Sequence, residues 1–329
     1  MNPALETLFL ARQELPEKGG ATLFLGAEAH PDLAAIPRLT ACQPLKPLAD
    51  SCGEMGVEIS TVPDSGEFST ILFLPGKSKD EILAGFARAH DLLAPDGVLL
   101  VSLANTAGAS RYEKELKKVT TLLSSFSKNK CRAFCVDRSK PWDAATLDAW
   151  RELARPRLIP DTDFTVEPGV FSSGHVDPGS QLLIDHLSYS VRGHVADLGA
   201  GWGFLSQAAL KKLPNISRID LFEADARALS CARKNLPAEA PAGFHWHDVT
   251  KGLPEKYDHI LINPPFHTAQ SRDVDLGKAF LSVAAASLKR GGSLQIVANR
   301  QLPYEAHLLE LGLRPRIVIE TGVYKVISA

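Results

Sequence analysis

A chain of 329 residues, 45% of them hydrophobic and 22% charged, exceeds one ordinary core and predicts two globular domains. Its formal net charge of -2 excludes a globally basic nucleic-acid binder and leaves only a local patch open. Five cysteines without a CxxC pair exclude a disulfide framework and a zinc site; with charges scattered from Met1 to Lys18 and no run near the roughly 20 apolar residues of a bilayer span, a metal-free, cytoplasmic monomer off the membrane is expected.

In the N-terminal half, Leu25-Gly26-Ala27 follows a short apolar run. Ile71-Leu72-Phe73-Leu74-Pro75-Gly76 then leads through a helical stretch to Ala94-Pro95-Asp96-Gly97 and a strand from Val98 to Asn105. Between Arg111 and Lys140 nine Lys or Arg stand against three Asp or Glu. Lys114, Lys117, Lys118, Lys128, Lys130 and Arg132 form a candidate patch for a nucleic-acid backbone, and the competing reading is a solvated helix face with Glu113 and Glu115 interleaved. Cys131 and Cys135 share a strand face and read as buried thiols. Pro156 and Pro160, among charges, interrupt the periodicity from Arg155 to Glu167, so the expected domains are 1–155 and 156–329.

Beyond this junction Phe171 precedes the first helix of the second domain, with core packing and a lid over a pocket both open as readings. Strand-length runs follow at His194 to Leu198, Arg218 to Phe222, Phe244 to His247, His259 to Ile262, Ser293 to Ala298 and Arg316 to Ile319. They alternate with helical patterns at Phe204 to Leu213, Ala226 to Asn235, Val274 to Leu288 and Glu305 to Leu311. Such alternation implies an α/β fold with a mostly parallel sheet covered on both faces. Glu320-Thr321-Gly322 folds the last two strands into a hairpin, which adds one antiparallel strand.

The N-terminal half repeats this plan in worn form. Leu25-Gly26-Ala27 aligns with Leu198-Gly199-Ala200, but Phe24 replaces Asp197, Glu28 and His30 replace Gly201 and Gly203, and Leu74 replaces Asn263. Side chains at such glycine positions block close approach of a ligand to the backbone. The first copy therefore reads as the same fold without the chemistry, a degenerate product of tandem duplication; chance likeness between two α/β domains is the competing account.

Asp197-Leu198-Gly199-Ala200-Gly201-Trp202-Gly203 is a tight strand-to-helix turn whose glycines fall at 199, 201 and 203. A dinucleotide fingerprint needs the third at 204, where Phe204 stands, so hydride transfer is disfavoured. Alternate glycines suit a compact amino-acid and ribose moiety, that of S-adenosylmethionine, with free N–H groups at the following helix start. Asp197 is placed to receive the cofactor ammonium, Glu223 at the next strand end to hold the ribose hydroxyls, and Asp248 after the third strand to meet the adenine amine. Asp225 is also readable as a helix N-cap, and Asp248 with Thr250 as a closed turn. Downstream, Asn263-Pro264-Pro265-Phe266 forms a clamp for a planar NH2 group. The prolines remove N–H donors, the Asn263 amide oxygen and main-chain carbonyls accept the amine hydrogens, and Phe266 offers a stacking face.

Pro168-Gly169-Val170-Phe171-Ser172, Asp177-Pro178-Gly179-Ser180-Gln181-Leu182-Leu183, the glycine turn, Asn263-Pro264-Pro265-Phe266-His267 and Val297-Ala298-Asn299 with Leu302-Pro303-Tyr304 together resemble the bacterial ribosomal RNA small subunit methyltransferase C family of guanine-N2 methyltransferases. The resemblance runs through nearly the whole chain, and Leu74-Pro75-Gly76-Lys77-Ser78-Lys79 is similar to that family's degenerate first domain. It implies two tandem class I methyltransferase domains of Rossmann-like, seven-stranded form. The second would act on one guanine of 16S ribosomal RNA in the small ribosomal subunit, and the first would assist RNA binding or folding. Trp202 departs from the smaller residue usual in the family. Methylation of large-subunit RNA, of another planar NH2 such as adenine N6, protein glutamine or a metabolite, and a noncatalytic RNA-binding assembly role stand as alternatives.

Overall fold

The computed structural model describes residues 2–15, 18–62, 65–265 and 271–329, excepting the side chains of 271–273. Met1–Pro156 and Arg157–Ala329 form separate compact units. The first runs α1 (Pro3–Gln13), β1 (Thr22–Leu25), β2 (Leu39–Cys42), α2 (Lys46–Gly53), β3 (Glu58–Ser60), β4 (Phe68–Phe73), α3 (Lys79–Leu92), β5 (Leu93–Ala104), α4 (Ala109–Val119), β6 (Leu122–Lys128), β7 (Cys131–Asp137) and α5 (Ala144–Glu152). The second runs β8 (Arg157–Leu158), β9 (Thr165–Val166), α6 (Pro178–Asp185), β10 (Gly193–Leu198), α7 (Phe204–Lys212), β11 (Ile216–Glu223), α8 (Ala226–Asn235), β12 (Ala242–Trp246), β13 (Tyr257–Ile262), α9 (Ser271–Ala286), β14 (Leu288–Asn299), α10 (Tyr304–Glu310), β15 (Arg316–Glu320) and β16 (Tyr324–Ser328).

Each unit holds one seven-stranded sheet, ordered β3-β2-β1-β4-β5-β7-β6 in the first and β12-β11-β10-β13-β14-β16-β15 in the second. These are the same order counted from each unit's first sheet strand. In both, the penultimate position is taken by an antiparallel strand, β7 or β16. Helices cover both faces, so central strands carry apolar residues without alternation. Val195, Ala196 and Leu198 in β10 and Ile260, Leu261 and Ile262 in β13 have no solvent exposure. Each such Leu, Ile or Val contributes roughly 1.5–3 kcal/mol of burial free energy.

The likeness extends to irregular detail. Gly26 and Ala27 both donate backbone N–H groups to the carbonyl of Cys42, as Gly199 and Ala200 do to that of Phe222. β5 and β14 share a register shift: β4 pairs Phe68 with Leu93 and then Thr70 with Val98, and β13 pairs Tyr257 with Leu288 and then His259 with Ser293. Pairing before this shift is why both strands begin about five residues earlier than the apolar run indicates. At the carboxyl ends of the strands the two units diverge. A Cβ on Gly26 would lie 2.2 Å from the Leu74 carbonyl oxygen, whereas one on Gly199 clears the Asn263 oxygen by 3.8 Å. Glu28 accepts hydrogen bonds from Asn2 at 3.0 and 3.1 Å, and His30 stacks on Phe9 of α1 with ring centroids 3.8 Å apart. In the first unit, protein fills the bend.

The stretch around Pro156 and Pro160 is more than a connector. β8 and β9 pair as an antiparallel hairpin, and Ile159, Phe164 and Val166 are buried in one cluster with Trp202, Ala228 and Cys231. This apolar hairpin provides the space that the bulky Trp202 fills.

Candidate active site

Strand order reverses beside β10: the chain moves outward through β11 and β12, then returns to the opposite edge of β10 as β13. A crevice opens at the carboxyl ends of strands at such a point, and ligands of open α/β sheets gather there. Asp197 and Leu198 pair with Leu261 and Ile262, so the next residues, Gly199 and Asn263, leave the sheet side by side. Sequence spacing alone placed these two segments in one site, and the register gives the juxtaposition.

Gly199, Gly201 and Gly203 have φ of 73°, 54° and 88°. Such left-handed backbone is costly for any residue with a Cβ. The three serve different ends. A Cβ on Gly201 would meet nothing within 4 Å, so the backbone there faces open space. At Gly203 it would lie 2.8 Å from Leu236 and 3.1 Å from Ala232, so this glycine lets α7 and α8 approach. Gly203→Ala is expected to destabilise the protein by about 2 kcal/mol or more, through combined strain and overpacking. A urea titration would show this as a lower midpoint at unchanged slope.

Asp197 is fully buried at the end of β10. Its Oδ2 accepts from Ser206 Oγ of α7 at 2.7 Å, while Oδ1 has no hydrogen-bond partner among the described residues. Burial, reinforced by the Glu223 charge and opposed by the Ser206 hydrogen bonds, pushes its carboxyl up to about 7. Glu223, half-buried at the end of β11, accepts the Gly201 N–H on Oε2 and the Asp225 N–H on Oε1, each at 2.8 Å. Burial also raises its carboxyl above the ordinary range, against the pull of these N–H groups. A buried acceptor without a donor and two electron-rich carboxylates beside an open glycine bend fit the ammonium and ribose hydroxyls of S-adenosylmethionine.

Three other candidates fall differently. Asp225 caps α8 through the Arg227 N–H and pairs with the Arg227 guanidinium at 2.7 Å. Asp248 accepts from Thr250 N at 2.9 Å and Thr250 Oγ1 at 2.7 Å, so its carboxylate closes the turn after β12. Phe171 is 53% exposed, which removes the core reading, and its carbonyl accepts the Trp202 indole N–H at 3.2 Å. Phe171 therefore sits at the surface beside the glycine bend, anchored through its backbone.

Asn263 is half-buried and Pro264 buried; Phe266 and His267 lie outside the described residues. Asn263 Nδ2 donates to Asp177 Oδ2 and to Ser180 Oγ, both at 2.8 Å. These partners from α6 have no place in the clamp as read from sequence. Their only local signal is helix capping: Asp177 is the N-cap, accepting from Ser180 N at 2.7 Å, followed by Pro178 at the first helical position.

The basic stretch divides. Lys117 and Arg132 both pair with the buried Glu113, and Lys118 pairs with Glu115 at 3.0 Å, so three of the six charges belong to local ion pairs. Lys114, Lys128 and Lys130 are exposed. Asn129 and Lys130, at φ of 51° and 57°, form the tight turn between β6 and β7, which holds Lys128 and Lys130 at its rim. Among the described residues no group of three or more His, Cys, Asp or Glu is arranged to hold a metal ion, and no helix is long and apolar enough to cross a membrane.

Comparison with known proteins agrees with this geometry. The methyltransferase small domain family matches residues 161–328. A ribosomal RNA small subunit methyltransferase C of Psychromonas ingrahamii is 32% identical over 269 residues, covering 78% of this chain and 74% of the relative. The protein of the same name from Escherichia coli (strain 55989) is 30% identical over 274 residues, covering 82% and 78%. Among solved structures, a T. thermophilus 16S rRNA N2 guanine methyltransferase, in complex with AdoMet and guanosine, superposes with a TM-score of 0.78 at 24% identity, over 100% of this chain and 91% of that one. That likeness concerns the fold of both units.

Proposed function

Because the chain belongs to the ribosomal RNA small subunit methyltransferase C family, we propose that it transfers a methyl group from S-adenosylmethionine to the exocyclic N2 amine of a guanine in 16S ribosomal RNA. One observation carries this reading. Asn263, with its amide nitrogen engaged by Asp177 and Ser180, leaves the sheet next to Gly199, beside the strand end where Asp197 Oδ1 has no hydrogen-bond partner among the described residues.

S-adenosylmethionine supplies an electrophilic methyl group. The chain binds and aligns: Asp197 would hold the ammonium, Glu223 the ribose hydroxyls, and Gly199 and Gly201 the close approach, with Phe171 beside the bend. Asp248, committed to Thr250, keeps one carboxylate oxygen for the adenine amine. The Asn263 amide oxygen and the Pro264 carbonyl would accept the two hydrogens of the guanine amine. This turns the nitrogen lone pair out of conjugation and toward the methyl group, and Pro265 stiffens the loop that carries Phe266. The methylated nitrogen is acidic enough to lose its extra proton to water, so no strong base is required. The first unit, its bend filled by protein, would serve RNA binding and folding.

Methyl transfer to unmodified small subunits, large subunits and free nucleosides, followed by nucleoside mass spectrometry, tests the assignment. N2-methylguanosine in 16S RNA alone is expected; modification confined to large-subunit RNA or to a free nucleoside would overturn it. For the first unit, Lys128→Glu with Lys130→Glu is expected to weaken RNA binding and to reduce the salt dependence of affinity by about two counterions. An unchanged salt titration would remove this turn from the RNA interface.

A further inference from the structure

The proposed reaction assigns no task to α6, although α6 makes the side-chain contacts that fix the clamp. Asn263 Nδ2 carries two hydrogens, and two acceptors stand at 2.8 Å from it, Asp177 Oδ2 and Ser180 Oγ. A carboxylate oxygen only accepts, so the end of the amide facing Asp177 is its NH2 end. With both hydrogens taken, the other end is an oxygen, which can only accept. We infer that Asp177 and Ser180 are positioning residues that lock the flip of the Asn263 amide, so that the site presents an acceptor and admits a reacting atom that carries hydrogens. The inference rests on the methyl-transfer reading for the identity of that atom, but the lock itself is a property of this chain.

The reversed amide would turn a donor toward the substrate. Donor would meet donor at an exocyclic amine, whereas a carbonyl oxygen or a ring nitrogen lone pair would be welcomed. The lock thus excludes one class of reacting atom as well as aligning another. Its parts are held from two sides. Asp177 is fixed by the α6 backbone, through Ser180 N at 2.7 Å. α6 itself packs on β14 and β16, where the Tyr324 ring would touch a Cβ on Gly179 at 3.2 Å and Asp177 Oδ2 would lie 3.0 Å from that same Cβ. The bare backbone at 179 leaves both groups room. Burial, and secondarily the neighbouring Asp177 carboxylate, raises the Tyr324 phenol.

Three variants and two readouts test the lock. Asp177→Ser keeps an N-cap but is too short to reach Asn263; Asp177→Asn keeps both the cap and an acceptor oxygen; Ser180→Ala removes the second acceptor. Turnover is expected to fall about thirtyfold in Asp177→Ser and about fivefold in Ser180→Ala, the scale of a hydrogen bond to a charged and to a neutral partner. The KM for S-adenosylmethionine should stay within about twofold of the parent, and Asp177→Asn should recover most of the turnover. Independently of any reaction, nitrogen-15 NMR of the cofactor-free protein should show the Asn263 side-chain NH2, identified by its absence in Asn263→Ala, as hydrogen-bonded and slow to exchange in the parent and Asp177→Asn. In Asp177→Ser it should resemble a free amide. Full turnover in Asp177→Ser, equal loss in Asp177→Asn, or a freely exchanging Asn263 amide in the parent would overturn the lock. A protected amide in a protein that methylates no guanine would leave the lock standing and overturn the reaction instead.

Discussion

Asn263→Ala is expected to lower turnover by at least about a hundredfold while S-adenosylmethionine binds with unchanged affinity. The reasoning begins with position. Asn263 is the first residue beyond β13 and stands beside Gly199, so in the proposed reaction its backbone would form part of the wall of the cofactor crevice while its side chain would address the substrate. Truncation leaves the backbone, and with it the 3.8 Å clearance between the Asn263 carbonyl and the Gly199 Cβ position. It removes an acceptor preorganised by two hydrogen bonds, and loss of one such group in other active sites costs about 10²–10³ in rate. Asp177 and Ser180 would keep each other as partners through the α6 cap, so the fold should lose little. Rapid-mixing kinetics with S-adenosylmethionine and unmodified small subunits, beside equilibrium binding of the labelled cofactor, separate the outcomes. Equal loss of turnover and cofactor affinity would mean that Asn263 holds the loop and does not address the amine. Asn263→Asp sharpens the result, because a carboxylate accepts from the amine but repels Asp177, and a loss at least as large as that of alanine is expected.

How far the sequence foretold this site depends on how local each cause is. The glycine bend, the acid at the end of β11 and the Asn-Pro-Pro loop were legible because each sits at a strand end, and strand ends are marked by short apolar runs that cannot run on. The duplicated sheet was legible for the same reason, and the structure adds Gln43, which the sequence reading passed over: it stands at the Glu223 position and makes the equivalent bond, Gln43 Oε1 accepting from Leu45 N at 3.0 Å. Its amide donates to the Ala27 carbonyl where Glu223 accepts from Gly201, a one-atom reversal that helps convert an open bend into a closed one. Asp177 and Ser180 were illegible as amide partners because they lie 86 and 83 residues before Asn263, and no spacing rule joins a helix cap to a distant strand end. Gly203 was read as a ligand contact because a glycine's demand for space does not reveal what occupies that space. The lysines of α4 show what counting charge along the chain leaves out: it weighed Lys117 and Lys118 by sign alone, while the burial of Glu113, which draws in Lys117 and Arg132, has no local signal.

Asp197→Asn is expected to separate stability from function, weakening S-adenosylmethionine binding at least about tenfold while stabilising the cofactor-free protein above neutral pH. The folded protein holds the Asp197 carboxyl at about 7, above its ordinary value, chiefly through burial. From about pH 4 to about pH 7 the folded state therefore keeps a proton that the unfolded chain has released, and stability falls as pH rises through that window. Above it the full penalty of an ionised buried acid applies, about 4 kcal/mol from a shift of roughly three pH units. An amide of the same shape has no such penalty and can still accept from Ser206. At pH 8 the variant should melt several degrees higher than the parent, and the gap should narrow as pH falls, closing only near pH 4, where the unfolded chain also keeps the Asp197 proton. In the proposed reading a bound ammonium would reverse the balance. It would give the ionised acid, through Oδ1, which has no partner among the described residues, a charged donor, and loss of such a charge-assisted bond costs about 1.5–3 kcal/mol, or roughly ten- to a hundredfold in affinity. Parental affinity should accordingly rise with pH between 6 and 8, with proton release on binding measurable by calorimetry in buffers of different ionisation enthalpy, and Asp197→Asn should flatten that dependence. A variant that melts lower at pH 8 and loses cofactor affinity in proportion would show Asp197 to be a strut of the β10 to α7 turn, held there for Ser206 alone.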